Sequence, residues 1–127
     1  MQESQVFEYA VIRVVPRVER EEFLNVGVIL FCKRLKYLDV LFSINADRLL
    51  AFSPELDLEE LQQYLCSFKK ICQGGAVGGP IGKLDIAERF RWLTAMRSSV
   101  LQTSRVHPGL CEKPSEVLER LFKDLVS

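Results

Sequence analysis

The stretch VFEYAVIRVVPRVEREEFLNVGVILFCK, Val6 to Lys33, decides the fold. Val6 to Pro16 is crowded with β-branched and aromatic residues, the composition of a strand, and Pro16 ends it because proline has no N–H for a ladder. The charged segment Arg17 to Glu22 makes the connection. Phe23 to Lys33 reads as the return strand. Leu24, Val26, Val28, Leu30 and Cys32 are uniformly apolar on one side; Phe23, Asn25, Gly27, Ile29 and Phe31 lie on the other. So short a connection joins antiparallel neighbours, since a parallel return needs a crossover of about a dozen residues or more. Pairing Val15 with Phe23 sets Arg13 opposite Asn25, Val11 opposite Gly27 and Tyr9 opposite Ile29. Arg13, Asn25, Gly27 and Tyr9 then share one side, because side chains alternate with period two. A glycine inside a strand calls for a close neighbour, and Tyr9 lying over Gly27 is the expected one.

Working outward, Arg34-Leu35-Lys36 turns the chain into a third strand, Tyr37 to Ser43, and Asn45 to Phe52 holds a helical turn. Asp57-Leu58-Glu59-Glu60 is a capping box, Asp at N-cap and Glu at N3, and opens a helix whose apolar stripe is Leu58, Leu61, Leu65, Phe68 and Cys72. Gly74-Gly75 stops it. Gln73 to Lys83 (QGGAVGGPIGK) reads as a flexible loop. Asp85 to Glu88 repeats the capping pattern and opens a helix through about Arg97, with Ile86, Phe90, Leu93 and Met96 on its buried side. Ser99 to Val106 reads as a fourth strand closed by a turn at His107-Pro108-Gly109. Pro114 starts a last helix striped by Leu118, Leu121, Phe122 and Leu125. The order β-β-β-α-α-β-α predicts one α+β domain over residues 1–127: a mostly antiparallel sheet with helices packed on one face.

The composition, 48% apolar and 27% charged, is that of a globular domain, and seventeen basic residues cancel seventeen acidic ones. A neutral domain lacks the excess of Lys and Arg that binds phosphate backbones or acidic membranes, so nucleic acid is not the expected partner. No apolar run approaches the roughly 18–20 residues that span a bilayer, and the polar start Met1-Gln2-Glu3-Ser4 is unlike a signal peptide. The expected location is cytoplasmic.

Recognisable catalytic chemistry is thin. Cys32, Cys66, Cys72 and Cys111 form no Cys-x-x-Cys pair and read as reduced thiols; neither a metal nor a cofactor is expected. The Gly82-Lys83 pair has Val77 where a Walker A loop needs glycine and Leu84 where it needs Ser or Thr. His107 is the one histidine, and the low-weight candidate for an acid or base. Arg13 is the odd residue in an apolar strand. A clasp to Glu22 or Asn25 would account for it, or else a binding site built from Arg13, Arg17, Asn25 and with them Arg105 and His107.

The run Tyr9 to Phe31 resembles the start of the bacterial domain-of-unknown-function 3037 family: Arg before a Val-Pro, a charged turn ending in Glu, then an Asn-x-Gly-Val strand. Ser104 to Gly109 and Pro114 to Val126 are similar to that family's His-containing turn and last helix. The matching motif positions are Arg13, Pro16, Arg20, Glu22, Asn25, Gly27, His107 and Gly109. The chain departs from the pattern in two places. Glu21 stands where the family has Gly, and Arg105-Val106 stand where it has Ser-Pro. The resemblance implies no activity; it implies a regulatory or complex-forming role beside HipA-like kinases.

The resulting expectation is a non-catalytic protein-interaction or regulatory module, with a HipA-like kinase as the implied partner. Its binding residues are drawn from Arg13, Arg17, Arg20, Glu22, Asn25, Gly27, Arg105 and His107. The alternative is a small enzyme or anion-binding domain acting on phosphorylated or nucleic-acid substrates through Arg13, Asn25 and His107. The sequence leaves the oligomeric state open.

Overall fold

The hairpin forms the middle of the sheet. In the computed structural model, which describes residues 3–95 and 99–126, β1 (Gln5–Val14) pairs antiparallel with β2 (Leu24–Cys32), and β2 with β3 (Tyr37–Phe42). The other edge of β1 takes two short strands in tandem, β4 (Leu101–Thr103) and β5 (His107–Cys111), so the sheet runs β3-β2-β1-β4/β5. Between strands lie α1 (Ala46–Phe52), α2 (Leu58–Gln73), the single turn α3 (Gly79–Gly82), α4 (Ile86–Leu93) and, last, α5 (Pro114–Leu125). The class is α+β on an open antiparallel sheet, as the sequence predicts. No helix among the described residues is long and apolar enough to cross a membrane.

Local signals carried the helix starts. Asp57 accepts from the Glu60 N–H at 3.1 Å, Asp85 from the Glu88 N–H at 2.8 Å, and Asn45 caps α1 through the Arg48 N–H. Leu61, Leu65, Phe68 and Cys72 of α2 and Phe90 and Leu93 of α4 are buried against Ala10, Ile12, Val14, Ile29 and Phe31. Met96 and Arg97 lie outside the described residues.

The layering goes further than expected. Helices cover both faces, for α5 sets Val117, Leu118, Leu121 and Phe122 against Phe7, Val28, Leu30 and Cys32 on the opposite side of the sheet. An amphipathic stripe fixes that one side of a helix is buried, and is silent on which face of the sheet buries it.

Two segments differ from expectation. His107-Pro108-Gly109 is strand, paired with Tyr9, Glu8 and Phe7. Proline is tolerated there because β5 is an edge strand, and Gly109 is a packing glycine: a Cβ on it would sit 2.4 Å from the Phe7 ring. Gln73 to Lys83 is a compact pair of tight turns, not a loose loop. The Arg89 guanidinium fastens it, donating from Nη1 to the Ile71 and Cys72 carbonyls at 2.8 Å and from Nε to the Leu84 carbonyl at 3.1 Å. The first two are carbonyls at the end of α2, which the helix itself leaves unpaired.

Candidate functional site

The hairpin register is where the site is made. Arg13 pairs with Asn25 as expected, but the next pairs are Ile12–Gly27, Val11–Val28 and Tyr9–Leu30. Val26 is an extra residue on β2, a β-bulge, and one inserted residue moves everything beyond it to the other face. Gly27 therefore does not share a side with Arg13 and Tyr9. A Cβ on it would meet the Leu41 carbonyl oxygen at 2.8 Å, Phe42 at 3.0 Å and Ile12 at 3.4 Å, all away from Tyr9. The glycine serves the close packing of β3 on β2.

Arg13 and Asn25 remain cross-strand neighbours on the α5 face, and the expected clasp between them does not form. The guanidinium carbon of Arg13 lies 3.9 Å from the centre of the Phe23 ring, a cation–π stack on an exposed aromatic. Among the described residues its Nε is buried with no acceptor, and burial lowers its pKa from the ordinary value. Glu22 does not reach it; that carboxylate pairs with Arg20 at 2.6 Å. Asn25 donates from Nδ2 to the Leu125 carbonyl at the end of α5 at 3.1 Å, which fixes the amide's orientation and leaves Oδ1 buried without a donor. One open donor and one open acceptor thus stand on paired residues.

The other named residues fall in separate places. Arg17, Arg20 and Glu22 are exposed on the connection and border a cavity of about 290 Å³ with Pro16 and Phe52 to Glu55. Glu21 takes a left-handed conformation with φ +55°. Arg105 is exposed where β4 gives way to β5. At that break Ser104 Oγ accepts the Val11 N–H at 2.8 Å, in place of a strand carbonyl. His107 packs against its cross-strand partner Tyr9, ring centres 5.3 Å apart. It lies on the same face as Arg13 but four residues away along β1, about 13 Å at strand spacing. An acid–base site that uses His107 together with Arg13 and Asn25 is not assembled by this geometry.

Sequence reasoning missed Phe23 and Leu125 as members of the cluster. Phe23 carried a signal, an aromatic residue two positions from Asn25 on the polar side of β2. Leu125 carried none, since its contact is through its backbone.

The four cysteines are free, and all but Cys66 are buried. Burial, reinforced by the nearby Asp39 carboxylate, pushes the Cys72 thiol up to about 12, so it is protonated and unreactive at neutral pH. Among the described residues no group of three or more His, Cys, Asp or Glu side chains could hold a metal ion.

Searches of curated proteins and of solved structures return no match. One family model, described as a protein of unknown function (DUF3037), matches residues 9–126. That match takes in the hairpin, the middle helices, the His107 strand and α5, and the chain belongs to the DUF3037 family.

Proposed function

We propose that this domain is a non-catalytic protein-interaction module, working in the cytoplasm, that meets its partner at the Arg13/Asn25 end of the hairpin. The observation that carries the reading is the pair of unpartnered buried atoms, Arg13 Nε and Asn25 Oδ1. Buried polar groups are hydrogen-bonded in the great majority of cases, and an exception calls for a reason. A structural clasp would have joined these two to each other. Left open, they suit a partner that brings both an acceptor and a donor. Phe23, 44% exposed beneath the guanidinium, adds an aromatic of the type that anchors interfaces. The rival docking surface, the outer edge of β5, contains Pro108, which has no N–H to offer an added strand.

The partner that the resemblance implies, a HipA-like kinase, is the first to test. The domain is used as bait in lysate of its native cell in three forms: wild type, Arg13→Met/Asn25→Leu, and the surface control Gln63→Ala. The expected result is a partner held by wild type and control and lost by the double variant, whose fold is intact by melting. Retention by the double variant overturns the reading. So does a partner lost only because the variant has unfolded, which restores the clasp.

A further inference from the structure

We infer that the last turn of α5 is a displaceable strap over Asn25, beside its paired residue Arg13, and that what replaces it is an extended peptide segment docking by main-chain hydrogen bonds. This rests on the interaction reading above and names the chemistry of its partner.

A side-chain amide has the same two prongs as a peptide group, one donor end and one acceptor end. Asn25 has only one prong engaged. Its Nδ2 donates to the Leu125 carbonyl, while Oδ1 is closed off with no donor. The helix explains the shortfall. The N–H that follows the Leu125 carbonyl belongs to Val126 and already donates to the Phe122 carbonyl at 2.9 Å. So α5 presents Asn25 with a carbonyl and withholds the neighbouring N–H.

An extended chain does not have this conflict. In an antiparallel hydrogen-bonded pair one residue offers its own C=O and N–H to the same neighbour. A single residue of an incoming strand could therefore satisfy both Nδ2 and Oδ1. The strand's next carbonyl on the same side, two residues along, is then the acceptor offered to Arg13 Nε, the open donor on the paired residue of β1.

The end of α5 is seated less deeply than its start, with Leu121, Phe122 and Val126 only partly buried against the sheet. The buried residues of α5, Pro114, Val117 and Leu118, lie in its first half, whereas Leu125 is 36% exposed. Val126 borders a cavity of about 200 Å³ beside Asn25, Val26 and Arg48. Lifting the last turn leaves the first half of the helix seated and frees the Asn25 amide, beside its paired residue Arg13.

The test uses the full chain, nitrogen-15-labelled, titrated with the capped peptide acetyl-Thr-Val-Thr-Val-Thr-amide and with the same peptide N-methylated at its central residue. The expected result is saturable shifts in the Asn25 side-chain amide and the Val126 N–H, with faster hydrogen exchange at Val126. The N-methylated peptide, lacking the donor for Oδ1, binds about tenfold more weakly or less. Asn25→Ala, with its fold checked by its own spectrum, loses the response. Absence of shifts up to the peptide's solubility, equal binding of the two peptides, or shifts that bypass Leu125 and Val126 each overturn the inference. If the peptide fails while Arg13→Met/Asn25→Leu still loses its partner, the strap is wrong and the interaction reading stands. If the peptide binds as expected while partner capture is unchanged, the reverse holds.

Discussion

Arg89 and Arg13 are both long cations set among apolar residues, and the fold treats them in opposite ways. Arg89 spends its donors on three main-chain carbonyls and closes the end of α2. Arg13 stacks on Phe23 and keeps a buried Nε–H with nothing to bond. An arginine recruited for stability looks like the first. The second is desolvated at Nε without a hydrogen bond to offset it, and the proposed partner site rests on that difference.

The comparison can be broken by mutation, and the largest effect should come from its structural side. Arg89→Ala removes three hydrogen bonds to main-chain carbonyls, two of them left unpaired at the end of α2, and should cost about 2–4 kcal/mol in urea unfolding. A loss under about 1 kcal/mol would mean Arg89 is no clasp. Gly82→Ala probes the same turn, since its Cβ would lie 2.4 Å from the Gly75 carbonyl oxygen, and a backbone atom gives way poorly. About 1–3 kcal/mol is expected from that overpacking, read from the thermal midpoint.

The next effect depends on pH. Cys72 has its folded pKa raised to about 12 while the unfolded thiol ionises near 9. Its contribution is full below about pH 9 and is lost as pH climbs toward 12, because the unfolded chain releases the proton first. Stability measured from pH 8 to 11 should fall, and Cys72→Val should fall less steeply over that range. Equal slopes would contradict the burial assigned to this thiol. The smallest effect concerns Glu21, whose φ of +55° strains a residue with a side chain. Glu21→Gly should raise stability by about 0.5–1 kcal/mol, in a calorimetric scan, and a decrease would refute the strain.

What could be read from the sequence was local. The capping carboxylates Asp57 and Asp85 sit three residues before the N–H groups they accept, so spacing alone found them. The Arg13–Asn25 pairing was legible too, because the charged turn and the proline limit the hairpin's register. Gly27 was not, since nothing in an apolar run announces that Val26 will bulge and turn the glycine to the other face. Pro108-Gly109 carries the strongest turn signal near the C-terminus, and pairing with β1 overrides it. Arg89 lies 17 and 18 residues from the α2 carbonyls it caps, beyond the reach of any local pattern. The open atoms of Arg13 and Asn25 were invisible for a related reason. Whether a buried group finds a partner depends on angles that only the folded chain sets.

The central claim is that Arg13 Nε and Asn25 Oδ1 are left without partners at a cost in stability. The direct measurement is the unfolding free energy of Arg13→Met/Asn25→Leu by urea titration. Replacing two unsatisfied polar groups by apolar ones of similar shape is close to neutral or stabilising, so the variant should unfold at the same urea concentration as wild type or a higher one. A loss of about 2–3 kcal/mol would show that the two side chains hold the hairpin together after all, and would contradict the account.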